Sequence, residues 1–242
     1  MVASTPPTLP NTLTIPDPPF NAVFCNNITP PQLSLYDSIV EIIIGPQKKT
    51  FTMHKGLLCF HSSFFKAAFT GPYKEAQSGL LILEDESPTV FSLFNHWAYD
   101  SSILRKLKPL VLIDLFVFAE TRLIRRLQND VVDICIWHAS QNDSMDEESL
   151  HIAWRQTLRL RPLLVDLFIA QGDLSGARLF DGDYLRAIAV RSTELLRVAR
   201  PQAVRPGAGS GRGLARCAGL LELQCYRFHV HEQEDPVCGG DR

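Results

Sequence analysis

The sequence predicts an α+β fold: a small three-stranded sheet flanked by helices, continued by a C-terminal helical extension. Three observations lead there. The β-branched run "SIVEIIIG" at 38–45 precedes the alternating "TFTM" at 50–53, and the joint "GPQKK" makes the two a hairpin. The apolar "LLIL" at 80–83 stands alone between turn residues as a third strand. From Ser62 onward most other apolar residues recur at three- and four-residue spacing, which lines one face of a helix.

Taken in order, Ser62 is placed to N-cap a short helix with the stripe Phe64, Phe65, Ala68 and Phe69, and Gly71 with Pro72 stops it. Ser87 with Pro88 starts a second helix, whose Val90, Phe91, Phe94, Trp97 and Ala98 share a face. Residues 109–119 are apolar on nearly every side, so a helix there is buried all round. The next helix points Leu123, Ile124, Leu127, Val131 and Ile134 inward and Arg122, Arg125, Arg126 and Asp130 outward. Helical patterns follow at 149–160, 162–171 and 179–199.

These patterns divide the chain into five parts. Residues 1–33 carry Pro6, Pro7, Pro10, Pro16, Pro18, Pro19, Pro30 and Pro31 without apolar periodicity, the composition of a disordered leader. The α+β domain occupies 34–139 and the helical extension 146–200. A Gly/Arg/Pro linker, free of acidic residues, covers 201–219, and a Cys/His tail covers 220–242.

Composition narrows the function classes. The 242 residues carry 24 Lys plus Arg against 26 Asp plus Glu, a formal charge of -2, so nothing pulls the whole chain toward phosphate backbones. No basic residue precedes Lys48, which argues against a secretory or transit leader and for a cytoplasmic or nuclear protein. The longest apolar runs are short and each contains an aspartate, so no membrane span is expected. The 6 cysteines are widely spaced, which suits buried thiols or metal ligands better than disulfides.

The stretch "FTMHKGLLCFHSSFF" at 51–65 gathers two histidines, a lysine and a cysteine among phenylalanines. His54 at a strand-to-helix junction among apolar residues reads as an interior histidine with a satisfied ring, bonded to backbone or to Asp37. Cys59 lies near two histidines, yet a helical thiol facing phenylalanines is inert. His61 has no assigned role. No nucleophile elbow or phosphate-loop spacing occurs, and the glycines at 207, 209, 211 and 213 read as linker. Catalytic residues are expected to be none.

In the tail, Cys225, His229, His231 and Cys238 give Cys-x3-His-x-His-x6-Cys, a ligand set of the kind that structural zinc takes. The competing reading is a partly ordered tail with incidental residues, since His-x-His is an unusual spacing for a finger. Arg200, Arg205, Arg212 and Arg216 between glycines offer a non-specific grip on nucleic acid. With no interleaved aromatic to stack on bases, that reading ranks low.

Asp37 before the first strand, "FTMHKGLLCFHSSFFKAAF", "LEDESPTVFSLFNHWAY" and "LIDLFVFAETRLIRRLQNDVVD" together resemble the BTB/POZ domain over residues 35–138. "AWRQTLRLRPLLVDLF" and "CYRFHVHE" resemble the extension of many fungal BTB proteins. The resemblance implies a protein-protein interaction module and no enzyme. It implies that Asp37, His54 and Lys55 form a charged pocket, and that Tyr73 and Glu75 hold the place of the family's hydrophobic-x-Glu contact to a cullin scaffold. The chain would then be a substrate adaptor of a cullin-based ubiquitin ligase. The alternative is a homodimeric scaffold or a transcription-associated protein without a ligase role, although the swapped N-terminal strand of the family is not visible in the leader. No Kelch, MATH or zinc-finger pattern accompanies the domain.

Overall fold

A computed structural model describes residues 33–140, 145–171, 181–199 and 228. The expected leader, linker and zinc ligands Cys225, His229, His231 and Cys238 lie outside them.

The sheet forms as its residues require. Strand β1 (Ile39–Ile44) pairs antiparallel with β2 (Lys49–His54), with Ile42 opposite Phe51 and Val40 opposite Met53. Strand β3 (Leu80–Leu83) joins the other edge of β1 in parallel, giving the order β2-β1-β3. Alternation sends Val40, Ile42, Ile44, Phe51, Met53, Leu81 and Leu83 into the core, while Ile39, Glu41 and Ile82 stay exposed. A parallel partner demands a crossover, and three short helices supply it: α1 (Lys55–His61), α2 (Ser63–Thr70) and α3 (Lys74–Ser78).

Helix α2 starts where expected, because the Ser62 hydroxyl accepts from Phe65 N at 3.1 Å. It buries Phe65 and Phe69 against α4 (Pro88–Tyr99), capped in turn by Ser87, which accepts from Val90 N at 3.4 Å. Phe65 stacks on Phe94 at 5.9 Å, and Phe94 lies 5.2 Å from Phe118 of α5 (Pro109–Thr121). Each such ring, fully buried, stabilises the fold by roughly 1.5–3 kcal/mol.

Helix α5 is apolar all round because it is covered on both sides. The sheet-side helices lie on one side, and α6 (Arg125–Ser140) with α7 (Glu147–Gln156) on the other. Gln156 Nε2 donates to Asp114 at 3.1 Å and the Thr157 hydroxyl donates to Glu120 at 2.9 Å, tying α7 to α5. Helices α8 (Arg161–Gln171) and α9 (Gly182–Ala199) follow, with Tyr184 stacked on Trp154 at 4.3 Å and its hydroxyl donating to Leu164 O.

Three expectations change. The helix expected over 149–160 ends at Gln156, where Thr157 turns extended (φ -144, ψ 133) and its hydroxyl accepts from Arg159 N. Leu123, expected inside, is 54% exposed at φ 53 in the turn between α5 and α6, so the second of these helices begins at Arg125. Asp130, expected outside, is 7% exposed because it accepts the Trp97 indole N–H.

Candidate protein-interaction surface

The stretch 71–79 between α2 and β3 forms a compact shoulder on the surface. Gly71 closes α2 by donating to Ala67 O, and a Cβ at that position would lie 2.5 Å from that oxygen and 2.9 Å from the Tyr73 ring. The chain therefore passes tightly under Tyr73, which holds the ring out with 55% of its surface exposed. Tyr73 is the N-cap of α3, and Glu75 stands in its first turn, half-buried, where its carboxylate is favourably placed against the helix dipole. Gly79 ends α3 at φ 68, a left-handed conformation that suits glycine, and turns the chain into β3. The exposed ring and the half-buried carboxylate thus lie two residues apart on one short segment.

His54 departs from the expected geometry. The ring is half-buried at the end of β2, not interior, and its Nδ1 lies 2.8 Å from the Tyr99 hydroxyl. Tyr36 packs edge-on at 5.1 Å on the other side. The expected bond to Asp37 is not formed. Asp37 is exposed, and among the described residues neither Asp37 nor Lys55 makes an ion pair. The physical reason is competition: the Tyr99 phenol reaches the ring from the end of α4, and Asp37 remains solvated at no desolvation cost.

The interior histidine is His61 instead. It is 9% exposed and packs 4.8 Å from Trp97. Burial, followed by the nearby Arg126 cation, lowers its pKa to about 4, so the ring is neutral. Trp97, Asp130 and Arg126 complete a polar cluster between α4 and α6: the indole donates to Asp130 at 2.9 Å, and Arg126 Nε lies 3.9 Å from the same carboxylate. One sequence signal could have located it, since a tryptophan on a buried helix face needs an acceptor for its N–H.

Both described thiols are shifted away from the reactive thiolate form. Cys59 is half-buried with its pKa raised by desolvation, and burial pushes Cys135 up to about 12. Among the described residues no three His, Cys, Asp or Glu side chains come together to hold a metal ion. Nor is any described helix long and apolar enough to cross a membrane.

Two strands in a hairpin, a parallel third strand reached through a three-helix crossover, and a buried helical pair coincide with what comparison of the sequence finds. Residues 32–134 match the model of the BTB/POZ domain. This stretch is a BTB/POZ domain, a protein-interaction module. Over 63 residues the chain is 30% identical to proteins named "Kelch repeat and BTB domain-containing protein 4" from Homo sapiens, Mus musculus and Pongo abelii. That match covers 26% of this chain and 12% of each relative. The BTB/POZ match ends at residue 134, inside α6, so α7, α8 and α9 lie beyond it.

Proposed function

We propose that the chain is a substrate adaptor that joins a cullin-based ubiquitin ligase through its BTB/POZ domain, with Tyr73 and Glu75 as the contact. The observation that carries this is the exposed Tyr73 ring at the N-cap of α3, with the half-buried Glu75 in the first turn, on a segment bounded by Gly71 and Gly79. A rigid aromatic with an adjacent charge is the make-up of an interface hot spot. In this reading residues 34–139 form the platform. The substrate receptor lies in the helices of 146–200, which resemble the extension of fungal BTB proteins, in the linker of 201–219 or in the tail of 220–242, and the protein works in the cytoplasm or nucleus. The test is a pull-down of the cullin scaffold by the full chain. Tyr73→Ala with Glu75→Arg abolishes recovery while the melting temperature stays unchanged; equal recovery by both proteins, or none by the wild type, removes the adaptor role.

A homodimeric scaffold is favoured by a different observation. Tyr36, Ile39 and Tyr99 are 38%, 65% and 49% exposed, and Ile39 pairs with His54, whose ring sits between the two tyrosines. A standard interface needs roughly 1,600 Å² of total buried surface, and this apolar patch would be its centre. Sedimentation across a concentration series, with Ile39→Asp as the disrupting variant, decides it.

A further inference from the structure

The 3-10 turn Ser101–Lys106 and the residues after it place Arg105, Lys106 and Lys108 together, all exposed. A surface run of cations is usually a solvated face, and three features set this one apart. The cations rim a groove of about 520 Å³ that is also lined by Leu107, Pro109, Leu110, His138, Met145 and Asp146. The groove lies at the start of α5, whose N-cap is Lys108, with no side-chain capping bond. Cations there stand beside the positive end of a helix, an arrangement that costs free energy unless negative charge is supplied.

Among the described residues the groove sets one carboxylate, Asp146, against three cations, and none of Arg105, Lys106 and Lys108 makes an ion pair there. Asp146 and Asp100, which feels the Lys106 charge, are both already engaged as caps. Asp100 caps the 3-10 turn, accepting from Ser102 N and Oγ at 2.9 Å each, and Asp146 caps α7, accepting from Ser149 N at 2.8 Å and Oγ at 3.1 Å.

We propose that this groove, at the junction of the BTB/POZ domain with α7, docks an acidic segment of a partner protein, whose carboxylates meet Arg105, Lys106 and Lys108 while an apolar residue between them seats on Leu107 and Leu110. The chemistry favours a peptide over nucleic acid. The one ring in the lining, His138, is 6% exposed and packs edge-on against Trp137, so no aromatic face is open to stack a base, and the aliphatic Leu107, Pro109 and Leu110 suit an apolar side chain between carboxylates. The site is separate from the Tyr73 shoulder, so it stands or falls independently of the cullin contact.

The test uses the full chain and a fluorescein-labelled peptide of alternating glutamate and leucine, read by anisotropy. Glutamine-for-glutamate peptide serves as the control, and unlabelled single-stranded DNA as the competitor. The labelled peptide binds and the glutamine peptide does not. Arg105→Glu with Lys108→Glu weakens binding by about tenfold or more, equivalent to about 1.4 kcal/mol. The milder Lys108→Gln weakens it partially, and Arg186→Glu on exposed α9 leaves it unchanged. Raising salt from about 0.05 M to about 0.2 M weakens it as well, because exposed charges are screened. Absence of binding at low salt, equal binding by wild type and the double variant, or displacement by DNA at lower concentration than by unlabelled peptide overturns the proposal. Binding only after Asp143→Asn, Glu147→Gln and Glu148→Gln also overturns it, because the chain's own connector would then be the occupant.

Discussion

The Trp97 indole N–H donates to Asp130 at 2.9 Å, joining α4 to α6 through a carboxylate that is 7% exposed. Trp97 is itself 2% exposed, so water cannot replace the acceptor. Asp130→Ala should therefore cost about 1–3 kcal/mol, the price of an unsatisfied buried donor, with a further contribution from Arg126 losing its partner. Trp97→Phe in the Asp130→Leu background should recover part of that loss, since both polar partners are then gone. Urea denaturation of wild type, Trp97→Phe, Asp130→Leu and the double variant gives the coupling energy, and strict additivity would show that the bond contributes nothing.

His61 gives the fold a pH dependence of defined sign. Its folded pKa of about 4 lies below its ordinary value of 6.5, so the unfolded chain takes up the proton first. Stability from this ring is fully present above 6.5 and is lost as pH falls from 6.5 toward 4. Between about pH 7 and about pH 5 the loss is roughly 2 kcal/mol. His61→Gln should flatten that part of the stability profile relative to wild type. Identical slopes for the two proteins would mean that the ring is solvated.

Much of this is legible in the sequence, and the misplaced polar side chains share a cause. The strands at 39–44, 49–54 and 80–83 and the caps Ser62 and Ser87 follow from local rules, β-branching in one case and a hydroxyl accepting from the third N–H onward in the other. The BTB/POZ match over 32–134 agrees with the motifs read at 35–138. The misplaced polar side chains have partners distant in sequence. For His54 the sequence offers the backbone or Asp37, seventeen positions away, but Tyr99 sits forty-five positions along and reaches it through the tertiary fold. Asp130 looked like a solvent-facing residue by helical spacing, and only the position of Trp97 turns it inward. Helix periodicity records where apolar atoms go, and it does not record which buried N–H requires an acceptor.

Gly56 predicts how tightly the N-terminal segment is held. A Cβ at this position would lie 2.5 Å from the Leu35 carbonyl oxygen and 2.6 Å from Leu35 Cα. Both are backbone atoms, so neither can rotate away, and the turn Leu33–Tyr36 must leave α1 or α1 must shift. Gly56→Ala should destabilise the domain by about 1–3 kcal/mol. It should also raise amide exchange at residues 34–38 ahead of the sheet. Gly182→Ala is the control, since nothing lies within 4 Å of the added methyl and it should change stability by no more than a few tenths of a kcal/mol. Unchanged exchange at 34–38 in Gly56→Ala would place the segment off the helix in solution.

The helices beyond residue 146 are held together by a buried ion pair whose loss should be asymmetric. Arg191 of α9 donates from Nε to Asp166 of α8 at 2.8 Å and from Nη2 at 3.3 Å, and Asp166 is 3% exposed. The pair also raises the Arg191 pKa, first through its hydrogen bond to Asp166. Removing only the cation takes the guanidinium from a carboxylate that is 3% exposed, so Arg191→Ala should cost about 3–5 kcal/mol. Arg191→Met with Asp166→Leu removes both charges at similar volume and should cost far less, because the desolvation of two ions disappears together with their attraction. Chemical denaturation of the single and double variants distinguishes the cases. A single variant no less stable than the double one would mean that Asp166 is hydrated and α9 is packed by its apolar face alone.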